Sequence, residues 1–309
     1  MMMPHLKQQE TVYFSIVIPT YNRPDRLHNC LTAIAQLDYP TEQFEVVVVD
    51  DGSKMLLNSV VEPFQSKLKL TLFRQENAGP ASARNAGVAI AQGKYLVFTD
   101  DDCAPTPNWL KTLEQQFQQT PEALVGGQTL NALPENLYST TSQLLIDYLY
   151  EYYNQQAGGN FFASNNFALP STLFHKIGGF DTTFPLAAGE DREFCDRWLQ
   201  TGYTMAYTPN AQIYHAHHLT LFSFWRQHFN YGRGAFYFHQ LHAKRSQQQI
   251  KVEPLAFYFN LLTYPLLQPI QPLSALGSTL LLFISQVANV FGFFWQQKSW
   301  KLSIENPDR

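Results

Sequence analysis

The chain has 309 residues, 45% of them hydrophobic, and 21 Lys and Arg against 25 Asp and Glu give a formal net charge of -4. That length suits one large domain with an appendage, the apolar share excludes a disordered chain, and the slightly acidic balance leaves no basic face for nucleic acid. Cys30, Cys103 and Cys195 are odd in number and lack a C-x-x-C pair, which argues against a disulfide framework or a thiolate zinc site and fits a reducing compartment.

Residues 1–12 form a polar tail without the apolar core of a secretory signal. The first half of the chain then alternates apolar runs with helical patterns. Residues 14–19 (FSIVIP), 44–50 (FEVVVVD), 68–73 (LKLTLF) and 94–100 (KYLVFTD) read as strands buried on both faces, because their apolar residues run continuously. Between them, residues 23–37, 53–65 and 80–92 read as helices, with Pro24 and Pro80 tolerated in first turns. Strand and helix in alternation predict an α/β fold with a mostly parallel central sheet, whose ligands gather at the carboxyl ends of the strands. Residues 20–22, 50–53, 77–79 and 100–102 then share one rim. Beyond residue 123 the pattern loosens, with helices expected over 142–153 and 189–202, the latter stopped by Gly202.

Three aspartates in a row, Asp100, Asp101 and Asp102, close the fourth strand. Each raises the cost of ionising its neighbours, so a divalent cation, Mn²⁺ or Mg²⁺, is the natural partner, with a solvated turn as the alternative. Asp51 ends a second acidic strand, placed to accept from a ribose or base, or to cap the helix after it. The small residues of NAGPASARNAG (77–87) let a helix lie close to the sheet and carry Arg84 to the rim. In GEDREF (189–194), Glu190 and Asp191 stand at a helix start, where the dipole favours ionised carboxylates able to act as a base. The preceding FPLAAG reads as a mobile loop over the site. Among His215, His217 and His218, His215 is a candidate to join the metal, against a reading of the cluster as ordinary polar surface. Arg226 and Arg233, set among aromatics, suit a diphosphate or lipid phosphate.

From Pro254 to Gln297 no charged residue or histidine occurs. Its first part is broken by Pro265, Pro269 and Pro272, and residues 275–295 match the length of a bilayer span. Membrane contact is expected over about 254–297, with a buried helical pair as the alternative.

Together SIVIPTYNRPDRLHNCL, VVVVDDGS, NAGPASARNAG, YLVFTDDD and GEDREFCDRW, spread over roughly residues 13–240, resemble the inverting family 2 glycosyltransferases. The resemblance implies a GT-A fold over residues 13–245, with a nucleotide-binding half (about 13–105) and an acceptor half (about 106–245), followed by an apolar helical C-terminal region (246–309). It implies transfer of a sugar from a nucleoside diphosphate donor, foremost a UDP-sugar, to a glycan or lipid-linked glycan during cell-surface polysaccharide synthesis at the cytoplasmic face of the cell membrane. By position, Pro19, Tyr21 and Asn22 border the base, Asp51 holds base or ribose, and Arg84 lies nearby. Asp100 and Asp101 approach ribose or sugar, while Asp102, with Asp100 and His215, holds the metal. Asp191 is the base, with Glu190 as the alternative. The Q-x-x-R-W motif of chain-extruding members is absent from FWRQHFNYGRG, which favours single addition. Transfer to polyprenyl phosphate and a catalytically silent sugar-nucleotide binding module are the alternatives.

Overall fold

In the computed structural model, residues 12–154, 159–184, 188–246 and 253–305 are described. The first half folds by simple alternation. Strands β1 (Phe14–Thr20), β2 (Phe44–Asp50), β3 (Leu70–Arg74) and β4 (Tyr95–Phe98) pair in parallel in the order β3-β2-β1-β4. Helices α1 (Pro24–Ile34), α2 (Asn58–Val61) and α3 (Pro80–Ile90) connect them. Every residue of β1, β2 and β4 is buried, as continuous apolar runs between two helical layers require. The third strand departs from expectation. It lies at the sheet edge with Thr71, Phe73 and Arg74 exposed, because among the described residues no strand pairs with its outer side and one face meets water.

The helix expected over 53–65 shrinks to α2 and one 3₁₀ turn, Glu62–Phe64. Ser53 is held in the loop, its N–H donating to Asp50 Oδ1 (2.9 Å) and its Oγ accepting from Asn22 N–H (2.8 Å). Pro63 sits in the first turn of the 3₁₀ segment.

After β4 the sheet continues with β5 (Cys103–Pro105), β6 (Leu124–Asn131), β7 (Phe167–Pro170) and β8 (Met205–His215), in the order β4-β7-β6-β8-β5. Strand β7 runs antiparallel to both β4 and β6, whereas β6 and β8 are parallel. These strands are wrapped by α4 (Trp109–Gln119), α5 (Leu137–Asn154), α6 (Ser171–Ile177) and α7 (Glu190–Gln200). Gly202 takes φ +86° just beyond α7, as the stop signal predicted.

The C-terminal part is helical. Helix α8 (Leu221–Ser246) is followed by α9 (Leu255–Thr263), a 3₁₀ turn at Tyr264–Leu267 and the 34-residue α10 (Pro272–Glu305). The apolar run is thus two helices broken at its prolines, docked on the domain. Tyr148 on α5 donates to the Phe257 carbonyl (2.8 Å), and Thr141 Oγ1 meets Ser278 Oγ at 2.9 Å. Arg233 Nε donates to Gln296 Oε1 (2.8 Å), and Trp300 packs on Phe236 and Tyr237. The expected polar tail, apart from Val12, and residues 247–252 of the expected C-terminal region lie outside the described residues.

Helices α8 and α10 approach so closely that a Cβ on Gly292 would stand 1.9 Å from the Phe229 carbonyl oxygen, and one on Gly232 1.9 Å from that of Asn289. Both obstacles are backbone, so neither can swing aside. Gly292→Leu should therefore destabilise the chain by about 1–3 kcal/mol and expose the α8–α10 seam to protease, read by urea denaturation and limited proteolysis.

Candidate active site

Four strand-end loops meet on one rim, and their contacts are specific. Asp51, buried at the end of β2, accepts hydrogen bonds from the N–H groups of Ala78 and Gly79 (both 2.9 Å), from Gln75 Nε2 (2.7 Å) and from Asn77 Nδ2 (3.2 Å). It thereby ties the β2 loop to the start of α3. Asn22 has the one positive φ outside glycine among the described residues, 56°, and its side-chain oxygen accepts from Lys54 N–H (2.8 Å). Pro19 lies in β1 paired with Val49, and Tyr21 is exposed at the rim.

The three aspartates do not converge on one point. Asp101 turns into the domain, accepting from Thr20 Oγ1 (2.7 Å) and Arg23 NH1 (3.2 Å). Burial, against the opposing charge of Arg23, pushes its carboxyl up to about 6. Asp100 binds Arg84 NH2 at 2.7 Å. Asp102 faces Arg26 NH1 (2.7 Å) and His215 Nε2 (3.2 Å). Burial alone would raise the Asp102 pKa, but the hydrogen bond and charge of His215, then the charge of Arg23, hold it well below the usual carboxylate range.

His215 ends β8, whose pairing with β5 sets it opposite Cys103, and this register brings it to the acidic loop from over a hundred residues away. The ring of His217 lies 5.1 Å from it. Both rings line the same cavity, so this pair is not the ordinary polar surface that its sequence suggested. Asp102, His215 and Cys103 offer ligand atoms within 4.8 Å of one another. Burial pushes the Cys103 thiol well above its ordinary value, so it stays protonated and is a poor ligand. A carboxylate and an imidazole remain, a donor set that suits a divalent ion able to complete its shell with phosphate oxygens. Asp100 lies outside that group, engaged by Arg84.

Arg84 joins the two halves of the site. Buried on α3, it reaches Asp100 with one nitrogen and Glu190 Oε1 with the other (3.2 Å), while its guanidinium lies 5.6 Å from the centre of the Phe180 ring. Glu190 is buried and its Oε2 has no partner among the described residues. Burial, then the charge of Asp191, push its carboxyl up to about 7 against the pull of Arg84. Asp191 is half-buried in the cavity wall, accepting from the N–H groups of Arg192 (2.8 Å) and Ser164 (3.3 Å). Its pKa is raised too, chiefly by burial. The helix begins at Gly189 with φ +95°, and a Cβ on the neighbouring Gly234 would stand 2.0 Å from the Ala188 carbonyl oxygen. Close contact with α8 thus sets where α7 starts. Residues 185–187 of the expected mobile loop lie outside the described residues.

A cavity of about 1230 Å³ is lined at one end by Arg23, Arg26, Arg84, Asp100 and Asp102, in its wall by Glu190 and Asp191, and further along by residues of α5, α8, α9 and α10. Arg226 lines it, whereas Arg233 is bound to Gln296 on α10. Sequence reasoning passed over Arg23, Arg26 and Ser164. The two arginines sit three apart in the first turn after a strand-end loop, a cationic spacing that the acidic rim opposite makes meaningful.

Residues 15–178 match the family model "Glycosyl transferase family 2", and residues 148–219 match "N-terminal domain of galactosyltransferase". The chain belongs to glycosyl transferase family 2. Among its family 2 relatives, the glycosyltransferase AglE of Haloferax volcanii is 26% identical over 206 residues, 64% of this chain and 65% of that one. The hyaluronan synthase of Pasteurella multocida is 27% identical over 244 residues, 67% of this chain but 25% of the synthase. The chain therefore spans between a quarter and two thirds of these curated relatives. Among solved structures, the mannosyltransferase PcManGT from Pyrobaculum calidifontis in complex with GDP-Man and Mn²⁺ superposes with TM-score 0.60 at 20% identity, covering 95% of this chain and 81% of that one. S. aureus TarS 1-349 in complex with UDP-GlcNAc gives 0.52 at 18%, covering 94% and 92%. The fold is that of the GT-A enzymes.

Removing Arg84 leaves Glu190 buried without its cation. Arg84→Met should cost about 3–5 kcal/mol in urea denaturation. The loss should be larger at pH 8 than at pH 6, because the lone Glu190 must then ionise in the interior while the unfolded chain ionises freely.

Proposed function

We propose that the chain is an inverting, metal-dependent transferase that moves a sugar from a nucleoside diphosphate, a UDP-sugar foremost, to a hydroxyl of a glycan or lipid-linked glycan in cell-surface polysaccharide synthesis. The observation that carries this reading is that Asp191 lines the same cavity as Asp100, Asp102, Arg23 and Arg26, so a candidate base and a phosphate-binding end share one chamber.

Asp191 is the base. Its carboxylate takes the acceptor proton as the acceptor oxygen attacks the anomeric carbon from the face opposite the leaving diphosphate. Glu190, engaged by Arg84 and buried, positions the start of α7 and is the poorer base. Arg23 and Arg26 supply cations near the leaving phosphates. Asp102 and His215 hold the divalent ion, which when bound supplies Lewis-acid stabilisation of the departing diphosphate. Pro19, Tyr21, Asn22 and Asp51 shape the base and ribose end, where Asp51 acts by fixing the loop over 77–79. Asp100 serves the ribose or donor sugar, and Asp101 keeps the acidic loop in place from behind. The GT-A domain occupies about 13–245, and residues 254–297 make contact with the cytoplasmic face of the membrane. The presence of Arg226 in the cavity favours one further reading, transfer to polyprenyl phosphate, whose acceptor is already anionic.

Asp191→Asn separates the two. Steady-state transfer should fall by about 10²–10⁴-fold if the acceptor is a hydroxyl, and only mildly if it is a phosphate. Because Asp191 must be ionised and its pKa is raised, wild-type kcat/KM should fall on acidification at a pH above the ordinary carboxylate range, and that limb should vanish in Asp191→Asn. Stripping divalent ions with EDTA should abolish the thermal stabilisation given by nucleoside diphosphate, and added Mn²⁺ should restore it. Stabilisation of equal size without metal would count against the ion.

A further inference from the structure

Helix α10 is long and apolar enough to cross a membrane, yet its packing points elsewhere. From Gly277 to Trp300 it runs beside α5 and then α8, touching Leu137, Thr141, Phe229, Arg233 and Phe236 in turn. That contact covers about 35 Å of helix at 1.5 Å per residue. Were α10 to cross the bilayer in this arrangement, α8 would be drawn in with Arg226 and Arg233, and α5 with Asp147 and Glu151, at a cost that few such segments bear.

The two sides of α10 differ. Its docked side carries small or buried residues at three- to four-residue spacing, Ala275, Ser278, Leu282, Ser285, Ala288 and Gly292. Its outer side exposes Leu273, Leu276, Leu280 and Phe283 at the same spacing and, two turns on, Val290 and Phe294, and α8 adds Phe222, which is 72% exposed. Exposed Lys298, Lys301 and Arg226 flank this stripe, cations that complement anionic headgroups at the edge of an apolar face.

Val290, Phe291 and Phe294 belong to that exposed surface and also line the cavity that contains Asp191. One chamber therefore joins the acidic rim to an apolar mouth that opens on the outer face. We propose that the acceptor is a long-chain lipid whose tail enters through this mouth, along the cavity-facing sides of the closed α8–α10 pair, from a membrane on which α10 lies flat, leaving its polar head at Asp191. The proposal rests on the transferase reading above and names the acceptor class. An apolar tail beside Val290, Phe291 and Phe294 is removed from water, which favours its burial there. A free glycan has no use for these side chains.

The test uses the full chain with vesicles of phosphatidylcholine and phosphatidylglycerol that carry a diazirine-bearing sixteen-carbon alcohol, with photolabelled residues mapped by mass spectrometry. The expected result is labelling inside the cavity, at Gln227, Asn230, Tyr231 or Gln286, as well as on the outer stripe. Val290→Trp, which narrows the mouth, should lower the inner labelling at least fivefold and leave the stripe labelled, while Phe291→Ala, which widens it, should raise the inner labelling. Labelling confined to Leu273, Leu276 and Leu280, or inner labelling unchanged in both variants, overturns the proposal. Thermal stabilisation by UDP and GDP with Mn²⁺, measured on the same proteins, checks their folding and reports on the transferase reading separately. Its absence in the wild type would sink that reading without altering where the alcohol is found.

Discussion

A single buried guanidinium holds the site together. Arg84 leaves α3, passes over Phe180 and grips Asp100 on one side and Glu190 on the other, linking a loop from the parallel half of the sheet to a helix start from the mixed half. Buried charges of one sign repel and resist desolvation, and a bidentate cation between them is what makes their burial tolerable. With that bridge in place, Asp191 follows Glu190 into the cavity wall and Asp102 follows Asp100 toward His215. The same contact thus sets the distance between the proposed base and the proposed phosphate end.

The aspartates divide within the turn that links β4 to β5, closed by the Cys103 N–H donating to the Asp100 carbonyl. Asp100 and Asp102 line the cavity while Asp101 faces Thr20 and Arg23. One carboxylate therefore stabilises the loop and the flanking two face the ligand side. The loop is tied by these contacts to β1, α1 and α3, the kind of preorganisation that electrostatic stabilisation of developing charge needs.

Much of the first half was legible because its physics is local. Continuous apolar runs predict β1, β2 and β4, and Pro24 and Pro80 mark the starts of α1 and α3. The three-residue β5 was not legible, since so short a segment carries too little periodicity to register, and nothing local in FALP marks β7 as an antiparallel strand between β4 and β6. The edge position of β3 also escaped, because exposure depends on what pairs beside it rather than on its own residues. In the site, the acidic loops and GED announced themselves. His215 could be named from its histidine cluster as a candidate, but its place beside Asp102 depends on the β5–β8 register, and Arg23 and Arg26 gained meaning only once Asp101 and Asp102 were seen opposite them. The proline-broken apolar terminus was read foremost as a membrane-contacting run, with a docked helical pair as the alternative, and the Gly232 and Gly292 contacts that lay α10 along α8 are long-range.

The central claim is that a nucleotide diphosphate and a divalent ion meet at the acidic end of the cavity, within reach of Asp191. Diffraction from crystals of the chain grown with UDP or GDP and Mn²⁺, with data collected at the manganese absorption edge, tests it most directly. The account predicts an anomalous peak in coordination distance of Asp102 Oδ1 and His215 Nε2, with the diphosphate between it and Arg23 and Arg26. Nucleotide bound with its phosphates elsewhere, or manganese held away from Asp102 and His215, would contradict it.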